Sequence, residues 1–130
     1  MIDDLAKERL AEFFREIHDH PSFMDCEMVN EHTRGFQGET PLKIAVVRQD
    51  TRIVTDLLNA GADPNLPGED DYTPLHHAAG RENSEIVRLL LTHGASTTAV
   101  DIYGHTPVDY ANSSANKDIR QLLNKHAGVQ

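Results

Sequence analysis

The chain has no tryptophan, a single cysteine, and only seven phenylalanines and tyrosines among its 130 residues. One cysteine, Cys26, cannot form an internal disulfide, so a reducing compartment and a cytoplasmic location are expected. No apolar run approaches the roughly 18 residues that cross a bilayer, and no membrane association is expected. Met1-Ile2-Asp3-Asp4-Leu5 is acidic where a secretory signal is basic and then apolar. Bases are scarce too: 12 against 21 acids, for a formal net charge of −9. Such a surface repels phosphate backbones, which disfavours nucleic acid. It attracts a basic protein and speeds encounter with one at low salt. The excess lies early: residues 1–38 hold nine acids and four bases, 39–91 nine and five, and 92–130 three of each. Solubility alone would account for the charge equally well. What is abundant is aliphatic: 38 % hydrophobic residues spread along the chain fit one folded domain rather than a disordered segment.

That aliphatic content is periodic. Thr40-Pro41-Leu42, Thr73-Pro74-Leu75 and Thr106-Pro107-Val108 recur every 33 residues. Ala45, Ala78 and Ala111 keep the step, as do Ile53, Ile86 and Ile119, and Leu57, Leu90 and Leu123. Four columns agreeing without insertion define a repeat of one supersecondary unit. Each unit reads as two short helices. Thr-Pro starts the first, with a capping hydroxyl and a proline where no N–H is needed. The second is amphipathic, as in Ser84–Leu91, and stops at Gly61-Ala62 or Gly94-Ala95, where glycine takes the left-handed conformation. Turn-rich stretches such as Asn65–Asp71 lie between units and read as hairpins.

Thr73-Pro74-Leu75-His76-His77-Ala78-Ala79 with Glu85-Ile86-Val87-Arg88-Leu89-Leu90-Leu91-Thr92-His93-Gly94-Ala95 resembles an ankyrin repeat, and the pattern covers about residues 35–127. The resemblance implies an all-α ankyrin-repeat solenoid of about four helical pairs in one domain, with repeats at about 35–67, 68–100 and 101–130. Residues 1–34 lack the motif and are expected to form a degenerate capping unit. Its first helix runs from about Asp3 to His18 with Leu5, Leu10, Phe13, Phe14 and Ile17 on one face, and a second short helix spans Pro21 to Met28. Three departures from the family stand out. Gln49, Glu82 and Ala115 replace the glycine after the first helix, and the following Asp50, Asn83 and Asn116 are expected to take the left-handed position. The turn glycine kept at Gly38 and Gly104 is Asp71 in the middle unit. Val108-Asp109-Tyr110 stands where Leu-His is usual, which suits a solvent-facing terminal repeat.

Eight histidines raise the question of metal. His76 and His77 are adjacent and about 100° apart on a helix, so they do not share one ion easily. The resemblance places His76 in a hydrogen-bond network with the motif threonine. His93 and His126 are one repeat apart, about 10 Å for packed helices, too far for one zinc. His18, His20 and Cys26 lack a fourth ligand, and Asp25 and Glu27 disfavour a reactive thiolate at Cys26. Ser113, Ser114 and Asp109 read as capping chemistry. No phosphate-cradling loop or nucleophile motif is present. Neither catalysis nor a cofactor is expected.

The family's partners meet the hairpin tips and the exposed face of the first helices. Carried over position by position, the tips are Phe36, Gln37 and Glu39, then Glu69, Asp70 and Tyr72, then Ile102, Tyr103 and His105. The groove positions are Val47 and Arg48, Gly80 and Arg81, and Ser113 and Ser114. Each tip has one aromatic, either an exposed anchor for a partner or a cover for the hairpin backbone. Arg88 and Asp56 are expected on the outer face, away from any partner. The function implied is protein binding by a chain that is monomeric when free. It either neutralises a basic protein, as small ankyrin immunity proteins do, or serves as a cytoplasmic adaptor. An enzyme on this scaffold is the remote third reading.

Overall fold

The structure, a computed structural model, describes residues 3–23, 29–112 and 116–126. Seven α-helices and no strands occur among the described residues. They are α1 (Asp4–His18), α2 (Pro41–Val47), α3 (Thr51–Asn59), α4 (Pro74–Gly80), α5 (Ser84–Thr92), α6 (Pro107–Asn112) and α7 (Lys117–His126). Short 3₁₀ turns occupy Pro21–Phe23, Phe36–Gly38 and Glu69–Asp71.

The Thr-Pro signal acts as its chemistry requires. The Thr40, Thr73 and Thr106 hydroxyls accept the backbone N–H groups of Lys43, His76 and Asp109. The amide of each capping threonine then needs its own acceptor, and each unit supplies a different one. Glu39 accepts it in the first unit at 3.2 Å, His76 in the second at 3.0 Å and Asp109 in the third at 2.9 Å. Asp109 thus completes a capping box in place of the usual histidine.

The link between paired helices departs from expectation. Gln49 (φ 59°) and Glu82 (φ 60°) hold the left-handed conformation themselves. Asp50 and Asn83 have negative φ and instead cap α3 and α5, accepting the amides of Ile53 and Ile86. An acceptor one residue before a helix is worth about 1 kcal/mol, so these side chains are used as caps. Ala115 lies outside the described residues.

The helices form two rows. In one, α2, α4 and α6 pack side by side; in the other, α1, α3, α5 and α7 do. The core lies between the rows, with Leu42, Ala45, Leu75, Ala78 and Ala111 from the first and Val54, Leu57, Ile86, Leu90, Ile119 and Leu123 from the second. Leu57 and Leu90 are fully buried, and truncating either to alanine would cost roughly 2–5 kcal/mol.

Residues before Gly35 do not form a complete fourth pair among the described residues. Their one α-helix, α1, packs against α3 and so continues the second row. Ala6, Leu10, Phe13 and Ile17 face inward, whereas Leu5, expected on that face, is 66 % exposed. The helix expected over Pro21–Met28 is a 3₁₀ turn at Pro21–Phe23, and Met24–Met28 lie outside the described residues. Phe23 is fully buried against Gly35, where a Cβ would stand 2.2 Å from the Ser22 carbonyl oxygen. The guanidinium of Arg9 binds both oxygens of Asp56 (2.8 and 3.0 Å), fastening α1 to α3. Asp56 is therefore buried in a helix junction, not displayed on the outer face.

Candidate functional site

Three hairpins project, one ahead of each helical pair. Each is closed by a backbone bond at its base: Gly35 N to Glu39 O, Gly68 N to Tyr72 O and Asp101 N to His105 O. The tips differ. Gln37 and Gly38 both have positive φ, as do Asp70 and Asp71. The third tip is held by side-chain chemistry, with the Asp101 carboxylate accepting the amides of Tyr103 and His105 at 2.9 and 3.0 Å. Neighbouring tips are knit together: Arg34 donates to the Pro67 carbonyl at 2.7 Å, and the Ile102 amide to the Asp70 carbonyl at 3.1 Å.

The structure separates the sequence-selected residues into three sets. Phe36 (71 %), Ile102 (58 %) and Tyr103 (62 %) stand out in solvent at the two ends of the tip row, with exposed Gln37, Glu69 and Asp70 between them. Glu39 and Arg48 are engaged internally. Glu39 binds Lys43 at 3.0 Å, and Arg48 binds Glu16 of α1 at 2.6 Å. Tyr72 and His105 belong to an aromatic cluster. Arg81 is exposed and pairs with no acid among the described residues. Ser113 and Ser114 lie outside the described residues.

The cluster includes three residues that sequence reasoning did not select: His77, Asp101 and Tyr110. Tyr72 meets His77 edge-on at 5.3 Å and Tyr110 edge-on at 5.9 Å. His105 meets Tyr110 at 5.6 Å. The Tyr110 hydroxyl contacts both the Asp101 carboxylate and, at 3.0 Å, the Tyr72 hydroxyl. It has one proton, and the carboxylate is the stronger acceptor. Tyr72 therefore donates to Tyr110, and Tyr110 to Asp101. Burial, together with the bonds to Asp101 and Tyr72, pushes the Tyr110 phenol far above its ordinary range. His76 is also buried here. Its Nδ1 accepts the Thr73 amide, which leaves Nε2–H to donate to the His105 carbonyl at 3.0 Å. The network expected for His76 is thus present and reaches into the next unit. A signal for His77 and Tyr110 existed: they share one repeat column with Ile44, and that column turns from aliphatic to polar aromatic along the chain.

Between α4 and α6 these side chains leave a pocket of about 380 Å³, lined by Tyr72, His76, His77, Gly80, Arg81 and Tyr110. Among the described residues no group of three His, Cys, Asp or Glu is arranged to hold a metal ion. Cys26 lies outside them. No described helix is long and apolar enough to cross a membrane.

Stacked helical pairs joined by hairpins, each pair opened by Thr-Pro, define a repeat protein of the helical solenoid class. The sequence profile for ankyrin repeats in three copies matches residues 42–130, and the chain belongs to the ankyrin-repeat family. Members of that family are generally protein–protein interaction modules. No curated protein is significantly similar to the chain in sequence.

Proposed function

We propose that the protein binds a basic partner protein along its hairpin tips and neutralises or sequesters it, with no catalytic step of its own. The observation that carries this reading is the make-up of the tip row. Apolar anchors at Phe36, Ile102 and Tyr103 flank the acidic run Glu69-Asp70-Asp71, and the Arg34–Pro67 and Ile102–Asp70 bonds tie neighbouring tips together. Rigid exposed aromatics bury large area at low entropic cost, and the acids between them select a cationic surface and steer its approach. The residues assigned to the contact are the exposed Phe36, Gln37, Arg48, Glu69, Asp70, Ile102, Tyr103, His105 and the pocket rim at Arg81, with the partly buried Glu39 and Tyr72 beside them. The chain acts as a single monomeric repeat domain, with residues 1–34 covering one end of the stack. A lone cysteine suits a reducing, cytoplasmic setting.

The test is affinity capture from source-cell extract with the full chain and with the double variant Glu69→Lys/Asp70→Asn. A basic protein retained by the wild type, lost from the variant and inhibited in its own activity when bound supports the reading. Its association rate should fall about tenfold or more from low to physiological salt. Equal retention by the variant, or an acidic partner, overturns it. A basic partner that stays fully active in the complex makes the protein an adaptor instead.

A further inference from the structure

The tip row is acidic, yet the pocket beside it is not. Arg81, the one arginine or lysine lining the pocket, has no acidic partner among the described residues, as is also true of exposed cations elsewhere such as Arg52 and Arg88. His77 forms one wall, and neither of its ring nitrogens makes a hydrogen bond among the described residues, although Tyr72 packs edge-on against the ring. Tyr72 and Tyr110 stand perpendicular to each other, and a Cβ at Gly80 would meet nothing within 4 Å. A volume near 380 Å³ falls within the range of small-ligand sites, roughly 300–1,000 Å³, and exceeds what a carboxylate alone would fill.

We propose that this pocket is a subsite for an acidic side chain of the partner, Glu or Asp, next to a large apolar residue that packs between Tyr72, Tyr110 and Gly80. The carboxylate pairs with the Arg81 guanidinium and accepts the free N–H of His77. The Tyr72 oxygen, whose hydroxyl proton is engaged in the hydrogen bond to Tyr110, has a lone pair left to accept a peptide N–H. The chain's net charge of −9 and the Asp101 carboxylate behind Tyr110 oppose an anion here, so the preference for one rests on the direct contacts of Arg81 and His77. This deepens the protein-binding reading and rests on it: the partner would present a basic patch to the tips and an acid to the pocket.

His77 adds a linkage. Desolvation, aided by the positive charges of Lys43 and Arg81 and by the neighbouring His76, lowers its pKa to about 4. The other groups packed around it are the Tyr72 and Tyr110 phenols, with Asp101 already engaged behind Tyr110. An anion in the pocket favours the charged imidazole and raises that pKa. Affinity for an acidic probe therefore increases as pH falls through the raised value.

The experiment uses two blocked dipeptides, acetyl-Phe-Glu-amide and acetyl-Phe-Gln-amide, titrated into the full chain and followed by amide chemical shifts. The Glu probe should move the amides of His77, Gly80 and Arg81 saturably, with a Kd on the order of 1 mM. The Gln probe should bind about fivefold more weakly. Arg81→Gln should erase the preference, Arg88→Gln on α5 should keep it, and His77→Gln should abolish the gain seen as pH falls from about 6 to about 5. Equal binding of the two probes, or no saturable shift by about 10 mM, overturns the proposal. Tighter binding of acetyl-phenylalanine free acid also overturns it, because the occupant would then be a chain terminus. Any of these failures leaves the tip variant's capture result standing, so the two readings fall separately.

Discussion

Tyr110 on α6 and Asp101 in the third hairpin share a hydrogen bond that fastens the hairpin to the helix beneath it. Burial opposes the Asp101 charge. The Tyr110 hydroxyl, the amides of His105 and Tyr103, and the nearby His76 together outweigh burial and hold the carboxyl below its usual pKa. A depressed carboxyl pKa stabilises the fold above the unfolded value, near 4, and that contribution is lost as pH falls through the folded value. Tyr110→Phe removes one of the bonds. Thermal melts should show Tm lower by about 3–6 °C at neutral pH, with acid destabilisation beginning at higher pH than in the wild type.

His77 works with the opposite sign. Its folded pKa, about 4, lies below the unfolded value near 6.5. The unfolded chain thus takes up a proton that the folded one refuses, and stability declines as pH drops from about 6.5 towards 4. In His77→Gln the decline of Tm across that window should be shallower. An unchanged slope would mean that the ring is better solvated than its place against Tyr72 indicates.

The Arg9–Asp56 contact carries a structural prediction. The Asp56 side chain is only 5 % exposed and Arg9 binds both its oxygens. Arg9→Ala leaves a buried carboxylate without its partner, a costly change. Tm should fall by about 5–10 °C, with α1 losing amide-exchange protection before the other helices. Arg88→Ala, on the exposed face of α5, should change Tm by less than about 1 °C.

Backbone conformation predicts glycine effects of opposite sign. Asp71 sits at φ 60° in the column that Gly38 and Gly104 occupy, so Asp71→Gly should stabilise by about 0.5–1 kcal/mol, read from urea unfolding. Gly35→Ala should destabilise by about 1–3 kcal/mol, because its Cβ would collide with the Ser22 carbonyl. Gly80→Ala, at a helical position with open space around it, should stabilise by about 0.5–1 kcal/mol while filling part of the pocket.

At the tips, two measurements distinguish residues that look alike in sequence. Phe36→Ala and Tyr103→Ala should each cost about 2 kcal/mol of partner binding with Tm nearly unchanged, since both side chains stand in solvent. Tyr72→Ala should lower both affinity and Tm, because Tyr72 packs against His76, His77 and Tyr110.

The parts of the fold that depend on local chemistry were legible in the sequence. Thr-Pro starts, the Ala45 column, the Ile53 and Leu57 columns and the Gly61 and Gly94 stops all lie where the repeat places them. The extent of α1 was readable from the spacing of its apolar residues. What was hidden depends on contacts distant in sequence. Asp56 looks like a surface acid until Arg9, 47 residues earlier, is brought against it. Tyr72 looks like a tip aromatic until Tyr110, 38 residues later, meets it. The conformations of Gln49 and Glu82 were missed for another reason. Intrinsic preference favoured their neighbours for the left-handed position, but those neighbours were worth more as helix caps.

The α4–α6 pocket lies across a seam between two helical pairs, and pairs of this kind touch only their immediate neighbours. Such a stack opens seam by seam. Whatever occupies the pocket touches both sides of one seam, through His77 and Arg81 on one and Tyr110 on the other. A ligand there acts as a clasp. It raises the cost of parting the second and third pairs by mass action, while the junction between α1 and α3, fastened by Arg9 and Asp56, is left as free to open as before.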